Sequence, residues 1–178
     1  MMTHKKNIFI IIGSASKHSS GEKLIDNFIS LTKDVFDVIV FNDLRSLPHF
    51  DPELSIDEPP QTIKAFRASV DKADGIIIAT PEYIFSIPSG LKNAIEWCVS
   101  TTLFTDKPTG LITASAQGKK GHEELQLVMK TVMAKFTNET TLLIQGVKGK
   151  INNDGKIIDE QTLSAFLTFI EAYKKLLT

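Results

Sequence analysis

Five short apolar runs, each followed by a segment of helical periodicity, restrict what this chain can fold into more than any other feature. Ile8 to Ile12 is apolar at every position and stops at Gly13, and the pattern returns at Phe36 to Phe41, Gly75 to Ala79, Gly110 to Ala114 and Thr141 to Ile144. A run of this kind belongs to a strand buried on both faces, as in a parallel sheet covered by helices. The intervening segments carry stripes at helical spacing: Leu24, Ile25, Phe28 and Ile29, then Ile63, Phe66 and Val70, then Leu91, Ala94, Ile95 and Cys98. Leu125, Val128, Met129, Val132, Met133 and Phe136 form a fourth, and Leu163, Phe166, Leu167, Ile170 and Tyr173 a fifth. Strand and helix alternating five times predict an α/β parallel sheet with helices on both faces.

With 178 residues and 42% hydrophobic content, residues 1–178 are expected to form a single domain. Twenty basic residues stand against twenty-one acidic, a net charge of -1, so no electrostatic footprint for nucleic acid or an anionic membrane is present. Small molecules or other proteins are the expected partners. The lone Cys98 excludes an internal disulfide or a multi-cysteine metal site and falls within a helical stripe, where it reads as a small buried hydrophobe. His4, His18, His49 and His122 show no ligand spacing and read as exposed loop residues. The N-terminal apolar run is shorter than the roughly 7 to 15 residues of a secretory signal core, and no stretch reaches the roughly 18 to 20 of a membrane span. A soluble cytoplasmic protein is expected. Two segments interrupt the alternation. Residues 46 to 60, SLPHFDPELSIDEPP, are a proline-rich loop long enough to cover a pocket or meet another subunit. Residues 148 to 159 pair two short runs around Asp154-Gly155, a hairpin signal.

In an open parallel sheet, ligands gather beyond the carboxyl ends of the strands. Three loops there have unusual composition: GSASKHSSGEK (13 to 23), TPEYIFSIPSG (80 to 90) and SAQGKKGHEE (115 to 124). The first runs from a glycine through several hydroxyls into a helix, whose unpaired N–H groups suit a phosphate. Serine-rich N-capping of an ordinary helix reads equally well there. It is neither a Walker loop nor a dinucleotide fingerprint, so a single phosphate is the better match. In the second loop, backbone groups can meet a planar heterocycle edge-on, with Tyr83 or Phe85 offering an aromatic face.

The pattern PEYxxSIPxxLKNAIEW, together with the hydroxyl-rich first loop, resembles the NADPH-dependent FMN reductase family, which includes related quinone and azo-dye reductases. The resemblance implies a flavodoxin-like three-layer sandwich with a five-stranded parallel sheet in order 2-1-3-4-5. It assigns the FMN phosphate to Gly13, Ser14, Ser16, Lys17, Ser19 and Ser20, and one side of the flavin ring to Pro81, Glu82, Tyr83 and Ile84. Ser115, Ala116, Gln117 and Gly118 fall on another side. Family members commonly read G-S-x-R-x-x-S-x-N in the first loop; here Ser16 stands in the arginine place and Gly21 in the asparagine place, and Lys17 and His18 read either as substitute cations or as solvated loop side chains. The usual Asn-Gly after Pro-Glu-Tyr is Ile84-Phe85.

The activity implied is hydride transfer from NAD(P)H to FMN, then two-electron reduction of a quinone, flavin, azo or similar small-molecule acceptor. Because the flavin carries the chemistry, no protein nucleophile or metal is required. The alternatives are a one-electron carrier, whose relatives are usually strongly acidic, and a binding module without catalysis. Relatives of this kind are often dimers or tetramers. His49, Phe50 and the helix carrying Trp97 are the expected contacts between subunits.

Overall fold

In the computed structural model, which describes residues 5–16 and 18–178, the apolar runs become β1 (Lys6–Ile12), β2 (Phe36–Phe41), β3 (Gly75–Thr80), β4 (Thr109–Ser115) and β5 (Thr141–Gln145). All pair in parallel, in the order β2-β1-β3-β4-β5 implied by the family resemblance. Ile10 lies between Val40 on one side and Ile77 on the other, which fixes the register at the centre. Between the strands run α1 (Ser20–Thr32), α2 (Pro52–Ile56), α3 (Gln61–Lys72), α4 (Ser89–Glu96), α5 (Lys119–Thr131) and α6 (Glu160–Leu176).

The central strands β1, β3 and β4 are apolar on both faces because the sheet feeds two cores, whereas β2, at the sheet edge, is not buried on both faces as its sequence run suggests: Asp37, Ile39 and Val40 are exposed. Phe9 and Ile11 of β1 join Phe66 of α3, Leu91 of α4 and Met129 of α5. Ile8, Ile10 and Ile12 point the other way, into Leu24 and Phe28 of α1 and Phe166 and Tyr173 of α6. Alternation along one strand thus supplies both sides of a three-layer sandwich. Among the described residues no helix is long and apolar enough to cross a membrane.

The structure departs from the sequence pattern at four places. The fourth stripe outlasts its helix: α5 ends at Thr131, and Met133 takes a left-handed conformation (φ 60°) with its side chain exposed. On α6, Leu163 and Leu167 face solvent while Phe169 is buried instead. The hairpin of residues 148 to 159 reduces to one antiparallel bridge, Ile151 with Ile157, around Gly155 at φ 84°. The proline-rich loop contains a short helix, α2, with Pro52 at its start and the Asp51 carboxylate accepting from Glu53 and Leu54 N–H.

That loop is stapled to α4 and the turn after it. Trp97 Nε1 donates to the Pro48 carbonyl (2.8 Å), as does Asn93 Nδ2 (2.9 Å), and Phe50 N–H donates to Asn93 Oδ1 (2.7 Å). Arg67 of α3 donates to the carbonyls of Trp97 (2.8 Å) and Ser55 (3.0 Å). Trp97 is fully buried, with the Phe50 ring edge-on to it. The Trp97 side chain itself thus faces its own core. Cys98 beside it is buried as expected, and burial pushes its thiol up to about 12 against the pull of Arg67.

His122 also departs from expectation. It lies on α5, buried, with Nδ1 2.8 Å from Thr113 Oγ1 of β4. Burial lowers its pKa from the ordinary 6.5, opposed by the negative charge of Glu123, so the ring is neutral near pH 7.

Two outcomes are expected. Asn93→Ala removes the acceptor of Phe50 N–H and one donor to Pro48, and should lower unfolding stability by about 1–3 kcal/mol in urea melts. For His122, the unfolded chain binds the proton more tightly than the native state. Native stability should therefore fall as pH drops below 6.5, ahead of the acid range of the carboxylates. His122→Gln should flatten that part of a stability–pH curve.

Candidate active site

Gly13 ends β1 and donates to the Ala79 carbonyl (2.7 Å). A Cβ placed on it would fall 2.5 Å from Thr80 Oγ1, so only glycine lets the ends of β1 and β3 come together. Beyond it, Ser14 Oγ accepts from Ser16 N–H (3.1 Å) and lies 3.3 Å from Tyr83 OH. Ser19 caps α1, its Oγ accepting from Glu22 N–H at 3.2 Å. The capping reading is therefore correct for that oxygen. Among the described residues, the N–H groups of Ser20 and Gly21 have no protein acceptor, and the N-terminal partial charge of a thirteen-residue helix stands behind them. Capping and anion binding coexist at this terminus.

The second loop is a two-residue hairpin. Tyr83 and Ser86 exchange both backbone hydrogen bonds, N–H to O, at 2.9 and 3.0 Å. The residues between them, Ile84 (φ 51°) and Phe85 (φ 57°), are both left-handed, as a turn of type I′ requires. Asn-Gly suits that turn; for other L-residues the left-handed form costs about 1–2 kcal/mol each. A carboxylate at each end holds the hairpin to α5. Glu82 accepts from Gly118 N–H (Oε1, 3.1 Å) and Gly121 N–H (Oε2, 2.8 Å). In return Glu124 Oε2 accepts from Ser86 Oγ (2.6 Å) and Ile87 N–H (2.9 Å). Gly121 is small because a Cβ there would press to 3.2 Å against Glu82.

These loops enclose a cleft of about 470 Å³. From the first loop it takes Ser14, Ser16, Ser19 and Ser20; from the second, Pro81, Glu82 and Tyr83; from the third, Ser115 and Ala116. Four expected residues do not line it. Gly13 faces a neighbouring cleft, Ile84 stands 96% exposed at the hairpin tip, Gln117 is an exposed loop residue, and Gly118 is the buried N-cap of α5 at φ 80°. Lys17 lies outside the described residues. Glu82 is present, but its carboxylate is turned to α5 and both oxygens are occupied there.

Sequence reasoning missed the turn after β5. Gly146 (φ 61°) donates to the Ala116 carbonyl (3.0 Å), and Gly146, Val147 and Lys148 line the same cleft as His18 and Gly21. The signal was available, since the rule that sends ligands to strand carboxyl ends applies to β5 as to the others. Lys148 is exposed, with no hydrogen bond or ion pair among the described residues.

A donor set of serine hydroxyls, open helix N–H groups and a lysine suits a phosphate. Pro81, Tyr83, Ala114, Ala116 and Val147 form an apolar remainder that suits a planar ring, and the volume falls within the range of small-molecule sites. The residues present therefore fit FMN. A second cleft, about 580 Å³, shares Ser14 and Tyr83 with the first. It is lined also by Arg45, His49, Asn42 and Ser89, without a carboxylate, and Arg45 Nη2 donates to the Ala15 carbonyl at 2.7 Å. A larger open groove of about 670 Å³ between α6 and Thr137 sits at the amino end of β5, the wrong end of the sheet for the loops above.

Comparison with known proteins agrees with this geometry. The family model for NADPH-dependent FMN reductase matches residues 6–147. The chain is 30% identical to the NADH:(hydroxy)cinnamate reductase subunit CrdA of Vibrio ruber, over 97% of this chain and 91% of that one. It is 27% identical to a quinone reductase of Escherichia coli K12, over 97% of this chain and 100% of that one. Among solved structures, the NAD(P)H:(acceptor) oxidoreductase FerB of Paracoccus denitrificans superposes with a TM-score of 0.80 at 22% identity, covering 97% of each chain, a likeness of fold. A protein with this cleft at the carboxyl ends of a 2-1-3-4-5 sheet, matched to that model over most of its length, belongs to the NADPH-dependent FMN reductase family.

Proposed function

We propose that residues 1–178 form one FMN-binding domain, that the protein is an NAD(P)H-dependent oxidoreductase, and that its acceptors are quinones or flavins. The observation that carries this reading is a single cleft that combines phosphate donors with an apolar wall sized for a planar ring. Bound FMN supplies the hydride-accepting and hydride-donating centre. Ser14, Ser16 and Ser19, with Ser20 and Gly21 N–H, hold the phosphate. Lys148 supplies the charge that Ser16 does not, reaching in from the turn after β5. Pro81 and Tyr83 align the ring, and Glu82 acts at one remove, fixing the loop against α5.

The neighbouring cleft, joined to the first at Ser14 and Tyr83, receives the pyridine nucleotide, with Arg45 as its cation. A net charge of -1 disfavours the one-electron carrier, and the relatives named quinone reductase, and flavin reductase in Lactobacillus johnsonii, favour the two-electron enzyme. The protein acts in the cytoplasm as a homodimer or homotetramer. Ile56 of the proline-rich loop and Val99, just past the helix that leads to Trp97, are exposed beside the Ser55–Ser100 hydrogen bond and make the contact between subunits.

Purified protein should carry close to one FMN per chain by absorbance and should oxidise NAD(P)H steadily once a quinone is added. A colourless protein that added FMN does not tint would overturn the reading. Lys148→Ala should weaken FMN binding about tenfold in titrations of the flavin-free protein. Its melting temperature without flavin should not change, because the side chain has no partner among the described residues.

A further inference from the structure

The hairpin tip places two large apolar side chains in water on backbone that neither favours. Ile84 is 96% exposed and Phe85 67%, at φ 51° and 57°. The fold does not ask for them, since Asn-Gly would complete the same turn without strain. Residues kept against local preference in this way point to a task outside the fold. We propose that Ile84 and Phe85 form the contact surface for the electron acceptor and select uncharged, apolar quinones over phosphorylated flavins. This rests on the reading of the adjoining cleft as the flavin site.

Position comes first. Tyr83, the first residue of the hairpin, lines both clefts, and the tip follows it directly in the chain, outside the lining of either. Rigidity comes next. Glu82 and Glu124 fix the two ends of the hairpin to α5, so the tip is held in place before an acceptor arrives and loses little freedom on contact.

Size and charge then choose the occupant. Two side chains match one ring, which Phe85 can stack against and Ile84 can cover. A stable subunit contact needs about 800 Å² from each partner. The tip is far smaller, and its immediate flanks, Glu82, Ser86 and Glu124, are polar. Residues 81 to 87 carry no cation, so the tip itself has no charged donor to hold a phosphate-bearing acceptor.

The test is the double variant Ile84→Asn/Phe85→Gly, with Phe85→Ala as a milder second change. The double variant should melt roughly 2–8 °C higher, because the strain is gone, and should retain its FMN. The dissociation constant of menadione, measured by calorimetry, and its KM should both rise about tenfold. KM for added FMN as acceptor should stay within about twofold, and Phe85→Ala should move in the same direction by less. Unchanged menadione binding would overturn the proposal. So would a lower molecular mass by light scattering in the double variant, which would make the tip a subunit contact, or a lower melting temperature with loss of FMN, which would make it a folding element. Absence of FMN from the unmodified protein as well would instead sink the flavin reading. The calorimetric comparison of menadione binding would then still decide the tip's role.

Discussion

The site depends on one topological constraint. β1 is paired on both edges, with β2 on one side and β3 on the other, and the chain visits first one neighbour and then the other. The connections leaving β1 and β3 therefore diverge, and neither covers the carboxyl ends of the strands. The close approach of Gly13 to Thr80 sets how tightly those ends converge. With any side chain at Gly13 the first and second loops would be pushed apart, and the cleft they share, with its Ser14–Tyr83 contact, would open.

What turns three loops into a fixed wall is charge placed against backbone. Glu82 and Glu124 are reciprocal: one leaves the second loop to meet the start of α5, and the other leaves α5 to meet the second loop. Each carboxylate accepts two hydrogen bonds, the strong kind in which one partner is ionised. Asn93 and Trp97 do the same for the neighbouring wall with neutral groups, anchoring residues 48 to 50. Much of the pattern that marks the family in sequence thus acts on loop position, as Glu82, Asn93 and Trp97 do. Lys92 and Glu96 in the same motif pair with each other on the surface of α4.

This explains which parts were legible in sequence. The central strands were, because burial on both faces leaves an unbroken apolar run; β2 was found although it lies at the edge with Ile39 and Val40 exposed, its β-branched residues marking a strand without marking its burial. The stripes on α6 were less so: Leu163 and Leu167 share the spacing of Phe166 and Ile170, and only the packing against β4 and β5 decides which of them turns inward. His122 was misread because a neutral, buried imidazole needs a partner from another element, here Thr113 of β4, and such pairs leave no local mark. Gln117 and Gly118 were placed beside the flavin by the family resemblance, and neither lines the cleft. Gly118 was instead required for the left-handed start of α5, a demand of the backbone that the ligand does not make.

The two departures from the family's loop pattern have opposite physical characters. A missing cation can be replaced from anywhere within reach, because Coulomb attraction depends on distance and dielectric and not on which strand carries the charge. Lys148, far from Ser16 in sequence, occupies the same cleft. The Asn-Gly of the hairpin has no such substitute, since a left-handed turn is a property of the two residues that make it. Ile84 and Phe85 adopt that turn only because both ends are held, so the Glu82 and Glu124 contacts that order the ring wall also sustain the strained tip above it. Weakening the clamp would release the tip and loosen the cleft together, which couples the two binding surfaces through one pair of carboxylates.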